Sequence, residues 1–143
     1  MTSTAGRESE PAAGAATELR VLLPLVESAA QLDAVRPLLP AGTQLGAMIE
    51  TRAAVAAAPE IARAADFVSI GTNDLTADVL GADRFAPGAA AAHDPRVLAA
   101  IAAACDAARE AGRVVEVCGE AAGDPLLLPL LVGLGVGELS VGA

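Results

Sequence analysis

Aromatic residues are nearly absent: two phenylalanines, no tryptophan and no tyrosine, 1% of 143 residues. A chain built this way has no platform on which nucleobases could stack. Basic residues are also scarce. Nine Lys and Arg stand against 18 Asp and Glu, a formal net charge of −9, which argues against nucleic acid and anionic membrane surfaces as partners. Two cysteines, Cys105 and Cys118, are too few for a disulfide framework. Neither has a Cys or His neighbour at zinc-ligand spacing. No run of apolar residues reaches membrane-spanning length, because Leu126 to Val136 is interrupted by Pro129 and Gly133. The first 17 residues hold no apolar segment of the kind a secretory signal needs. Together these absences predict a single domain in a reducing, cytoplasmic compartment. The 54% hydrophobic content overstates the core, since much of it is alanine, which favours helix but buries little area.

The chain divides into a compositionally disordered tail over 1–17 and a domain over 18–143. Within the domain, short β-branched apolar runs alternate with helical stretches. Strands are predicted over Leu19–Val26, Gln44–Ile49, Phe67–Ile70, Val114–Val117 and Glu138–Val141. Helices are predicted over Ser28–Leu39, over Arg52–Ala64 with a division at Pro59, and over Leu75–Ala82. Two more are predicted to open at Asp94-Pro95 and Asp124-Pro125, an acid cap followed by proline. Strand–helix alternation predicts an α/β fold with a parallel sheet. No Gly-x-Gly-x-x-Gly turn is present, which leans away from a dinucleotide fold. Polar residues gather just after the strands: Glu50, Asn73, Asp74, Cys118 and Glu120. That is the layout of a (β/α) barrel, whose chemistry collects at the carboxyl ends of the strands. Taken alone, Asp74 also reads as an N-cap of Leu75–Ala82, Arg84 as a surface residue and Cys118 as an inert core thiol.

Several motifs occur in fixed order: Val21-Leu-Leu-Pro-Leu-Val26, Gly46-Ala-Met-Ile-Glu-Thr51, Phe67 to Leu75, Ala82-Asp-Arg84, Asp94-Pro-Arg-Val-Leu98, Cys118-Gly-Glu-Ala-Ala-Gly-Asp-Pro125 and Gly133 to Val141. The ordered set resembles the phosphoenolpyruvate (PEP)-binding barrel of enzyme I of the bacterial sugar phosphotransferase system, a member of the PEP-utilising enzymes. The resemblance implies a partial TIM-type barrel, about five of eight parallel strands with their helices. It implies PEP and pyruvate as ligands and Mg2+ as cofactor, with Glu50 and Asp74 as metal ligands. It assigns the substrate phosphate to Asn73, Asp74 and Arg84, and the protonation of enolpyruvate to Cys118. The implied reaction is phosphoryl transfer from PEP to a histidine, as in sugar transport.

The chain departs from the resemblance in several ways. Two arginines placed by that family on earlier strands, the phosphohistidine domain and the last helix have no counterpart here. The one histidine, His93, matches none of the family's roles. Arg52 stands where proline is usual, and Ala77-Asp78 where Gln-Tyr is common. Two other readings are a non-catalytic binding or assembly module, and a metal-dependent pyruvate-enolate aldolase or lyase. The Cys-Gly-Glu segment speaks against the lyase, which needs no such thiol. Open sheet edges predict a homo-oligomer or a partner chain that completes the barrel.

Overall fold

The computed structural model describes residues 19–83 and 91–142. The predicted tail over 1–17 and Arg84 lie outside the described residues. Five strands form one sheet in the order β1-β2-β3-β4-β5: β1 Arg20–Leu23, β2 Gln44–Ile49, β3 Phe67–Gly71, β4 Val114–Cys118 and β5 Glu138–Ser140. All four pairings are parallel, so each strand must be followed by a crossover. The crossovers carry helices α1 Ala29–Val35, α2 Arg52–Ala56, α3 Ala58–Ala64, α4 Thr72–Leu80, α5 Pro95–Glu110 and α6 Leu128–Gly133. The fold is α/β, as strand–helix alternation predicts.

Side chains alternate across each strand, and the two faces of the sheet differ sharply. One face sends Leu45, Ala47, Ile49, Val68, Ile70, Val115 and Val117 into the helices, where they pack with Leu32, Ile61, Ile101 and Ala104. The other face carries Arg20, Phe67, Glu116 and Glu138. Arg20 of β1 donates to Glu116 of β4 and, at 3.1 Å, to Glu138 of β5. Its guanidinium lies 4.1 Å above the centre of the Phe67 ring. Strands sit about 4.8 Å apart, so a flat sheet would separate β1 from β5 by about 19 Å. That exceeds what an arginine and a glutamate span together. The sheet is therefore curled, with the charged face on its concave side, as in a barrel wall. Burial pushes the Glu116 carboxyl up, and its hydrogen bond with Glu138 adds to this, against the pull of Arg20.

Local chemistry sets the helix ends. Asp94 caps α5, its Oδ1 accepting the Arg96 N–H at 2.9 Å. Pro59 falls in the first turn of α3, where its missing N–H is harmless. Asp124 accepts the Leu126 N–H at 2.8 Å, but a turn intervenes and α6 begins only at Leu128. The stretch predicted as a helix over Ser28–Leu39 ends as α-helix at Val35. It continues as a 3-10 turn over Arg36–Leu38, with Pro37 inside it. Arg36 then ties this turn to the connection between α3 and β3, donating to Asp66 at 2.9 Å and to the Ala64 carbonyl at 2.8 Å. Among the described residues no helix is long and apolar enough to cross a membrane.

Candidate active site at the carboxyl end of the sheet

Three adjacent strands deliver the polar residues to one end. β2 stops at Ile49, and Glu50 follows it, 4% exposed. Register pairs Ile49 with Ile70, so Glu50 lies across from Gly71. One carboxylate oxygen, Oε1, accepts the Leu25 N–H at 2.7 Å. Leu25 has φ 53°, the left-handed region that a branched side chain rarely adopts. The strained turn after β1 thus aims a backbone donor at Glu50. The other oxygen rests against Gly71: a Cβ there would sit 2.8 Å from Glu50 Oε2.

β3 passes into α4 without a loop, since Gly71 ends the strand and Thr72 begins the helix. This corrects the alternative in which Asp74 caps a helix starting at Leu75. The cap is Gly71, and Asp74 lies in the first helical turn, where a negative charge faces the positive end of the backbone dipoles. Asn73 precedes it and is exposed. Its Oδ1 accepts the Glu120 N–H at 2.9 Å. A backbone N–H can only donate, so the amide oxygen faces Glu120 and the NH2 group faces away.

β4 ends on Cys118. Its carbonyl accepts the Thr72 hydroxyl at 2.7 Å. Gly119 follows with φ 92°, and a Cβ there would lie 2.6 Å from Thr72 Oγ1 and 2.7 Å from Asn73 Oδ1. Glycine is required at this position on both counts. The Cys118 thiol lies 3.6 Å from the Ile70 carbonyl, to which it donates, and 3.8 Å from the Ser69 hydroxyl, from which it accepts. The second thiol, Cys105, is buried on the inner face of α5, and burial pushes it up to about 11.

Mg2+ is commonly held by one or two carboxylates plus substrate oxygens. The carboxylates at this end are those of Glu50, which is buried after β2, and Asp74, in the helical turn after β3. Among the described residues no group of three or more His, Cys, Asp or Glu side chains could hold a metal by itself. His93 lies away from these strand ends in sequence and pairs with Asp124, Nε2 to Oδ2 at 2.7 Å. Thr72, Ser69, Gly119 and Leu25 are parts of the site that sequence reasoning passed over. All four sit inside the quoted motifs, so their positions were visible although their contacts were not.

Comparison with known proteins places the chain in a family. The family model described as PEP-utilising enzyme, PEP-binding domain matches residues 10–143. A multiphosphoryl transfer protein from Xanthomonas campestris pv. campestris is 53% identical over 115 residues, 78% of this chain and 13% of that protein. A phosphoenolpyruvate-protein phosphotransferase from Bacillus sp. (strain S) is 41% identical over 105 residues, 71% of this chain and 18% of that protein. The chain therefore spans less than a fifth of either relative. A crystal structure of an HpcH/Hpal aldolase/citrate lyase family protein from Burkholderia cenocepacia J2315 superposes with a TM-score of 0.67. It is 19% identical and covers 87% of this chain and 58% of that one. At that identity the likeness speaks for the fold alone.

Proposed function

The chain belongs to the PEP-utilising enzyme, PEP-binding domain family, and from that membership we propose that it binds phosphoenolpyruvate and pyruvate together with Mg2+. The observation that carries this reading is the placement of Glu50, Asn73 and Cys118 at the carboxyl ends of three adjacent strands, with Asn73 fixed by the Glu120 N–H. The outward NH2 group of Asn73 donates to a phosphate or enolate oxygen. Glu50 and Asp74 are the residues that would hold Mg2+. When bound, the ion supplies positive charge against the substrate's phosphate. Cys118 gives its thiol proton to the methylene carbon of enolpyruvate, converting it to pyruvate. Arg84 is a further phosphate contact in this reading. Transfer to a histidine, and through it sugar transport, needs an acceptor from outside this site.

Calorimetric titration with PEP and pyruvate, with and without Mg2+, tests the reading. Binding that strengthens with Mg2+ and is lost in Glu50→Gln and Asp74→Asn supports it. Indifference to Mg2+ in the wild type removes the metal from the reading. Failure to bind PEP at any metal concentration favours an assembly role.

A further inference from the structure

We propose that Ser69 is the positioning residue of the Cys118 thiol, its hydroxyl holding the sulfur and supporting the thiolate left after proton transfer. The inference rests on the reading of Cys118 as proton donor. Ser69 lies in the middle of β3 and is 1% exposed. Its Oγ is 3.8 Å from Cys118 Sγ. The β3–β4 register explains the meeting. Gly71 stands opposite Cys118 and Ser69 opposite Glu116, which makes Ser69 the diagonal neighbour of Cys118 on the same face. Directly across from the thiol is a glycine, so no side chain intervenes between hydroxyl and sulfur.

The two contacts of the sulfur have different consequences. The Ile70 carbonyl accepts from the thiol and so favours the protonated form. The Ser69 hydroxyl donates to the sulfur and gains strength when the sulfur becomes anionic. In the transfer, the enolpyruvate π pair forms the new C–H bond at the methylene carbon. An oxygen lone pair forms the ketone, and the S–H bonding pair stays on sulfur. Ser69 therefore interacts more strongly after the step than before it, the condition for aiding a reaction. The charged groups on the surrounding elements are Glu50 after β2, Asp74 in α4, Glu116 on β4 itself, Glu120 in the following turn, and Arg20 of β1, whose guanidinium is taken up by Glu116 and Glu138. The four acids oppose a thiolate, Arg20 is engaged by its two carboxylates, and the Ser69 hydroxyl is the donor that meets the sulfur itself.

The test follows Cys118 alkylation by iodoacetamide against pH in the full chain. Trypsin cuts after Arg96, Arg109 and Arg113, placing Cys105 in fragment 97–109 and Cys118 in fragment 114–143. Ser69→Ala is expected to raise the Cys118 midpoint by about one pH unit, a tenfold loss of thiolate at fixed pH. Ser69→Thr keeps the hydroxyl and stays near wild type. Cys105, buried in the helix layer, reports whether the fold is intact. Were Ser69→Ala not to fold, Ser69→Thr against Ser69→Val compares equal shapes with and without the hydroxyl. An unmoved Cys118 midpoint in a folded hydroxyl-free variant overturns the proposal. The donor reading is measured separately, as Mg2+-dependent deuterium uptake into the pyruvate methyl group by wild type and Cys118→Ser. Equal uptake removes the donor role and leaves the Ser69 result standing.

Discussion

At Gly119 a methyl group has nowhere to go. The φ of 92° is one that L side chains avoid, and the Thr72 and Asn73 oxygens occupy the space a Cβ would take. Gly119→Ala should lose about 1–3 kcal/mol from backbone strain alone. It should also push Asn73 off the Glu120 N–H, so PEP binding falls along with Tm. A thermal melt and a PEP titration on the same sample check both; an unchanged Tm would refute the steric account. Asp66 shows a different residue-scale effect. Burial raises its carboxyl, but the Leu45 N–H and the Arg36 guanidinium outweigh this and hold it below the usual carboxylate range. A depressed folded-state pKa stabilises the fold above the unfolded value of about 3.9, and that stability is lost as pH falls through the folded value. Asp66→Asn should lower the urea midpoint at neutral pH. The gap to wild type should close as pH drops below about 4, and a gap constant with pH would sink the assignment.

Among the elements, α2 and α4 are joined by two residues that differ from the resembled family's pattern. The Asp78 carboxylate of α4 accepts the backbone N–H of Arg52, the first residue of α2, at 2.6 Å, and its guanidinium at 3.3 Å. Proline at position 52 would suit a first helical turn, and Thr51 is already extended, as a residue before proline must be. It would, however, remove the N–H that Asp78 uses. Arg52→Pro should therefore destabilise the wild type by about 0.5–1 kcal/mol yet be nearly neutral in an Asp78→Ala background. Additive effects in the double-mutant cycle would show that the two departures are unrelated. The sequence displayed these residues as isolated oddities, because contacts between helices 26 positions apart leave no local pattern. It was informative where the rule is local. β2 has its predicted limits, and the break at Pro59 follows from a missing donor. The start of α4 was misplaced by three residues, because Gly-Thr-Asn-Asp looks like a turn and its helical geometry depends on Thr72 and Asn73 bonding to the end of β4. The convergence of Glu50, Asn73 and Cys118 was legible as residues after strands. The left-handed Leu25 that aims a donor at Glu50 was not, since nothing in a leucine announces φ 53°.

For the whole molecule, the two edge strands set the behaviour. Among the described residues β1 and β5 each have a neighbouring strand on one side only, and β5 is exposed along its length. In the α6 segment that precedes it in the chain, and just after it, Leu126, Leu130, Val132 and Val141 are 49–74% exposed. Exposed apolar side chains and an unpaired strand edge both favour association, and we predict that this chain pairs with a second copy through β5 and α6. Sedimentation velocity should show a concentration-dependent species that Leu130→Asp disperses; a single monomer at every concentration would count against it. The curl of the sheet has a further consequence, for the order in which the chain assembles. Arg20 and Glu138 are 118 positions apart and meet only when every intervening crossover is in place. Loop-closure entropy must be met before such a contact returns anything, and an exposed ion pair returns little. The bridge across the concave face is then the last contact to form and the first to open. Hydrogen exchange should find the amides of β1 and β5 opening together at low free energy, while those of Val68 and Ile70 wait for global unfolding.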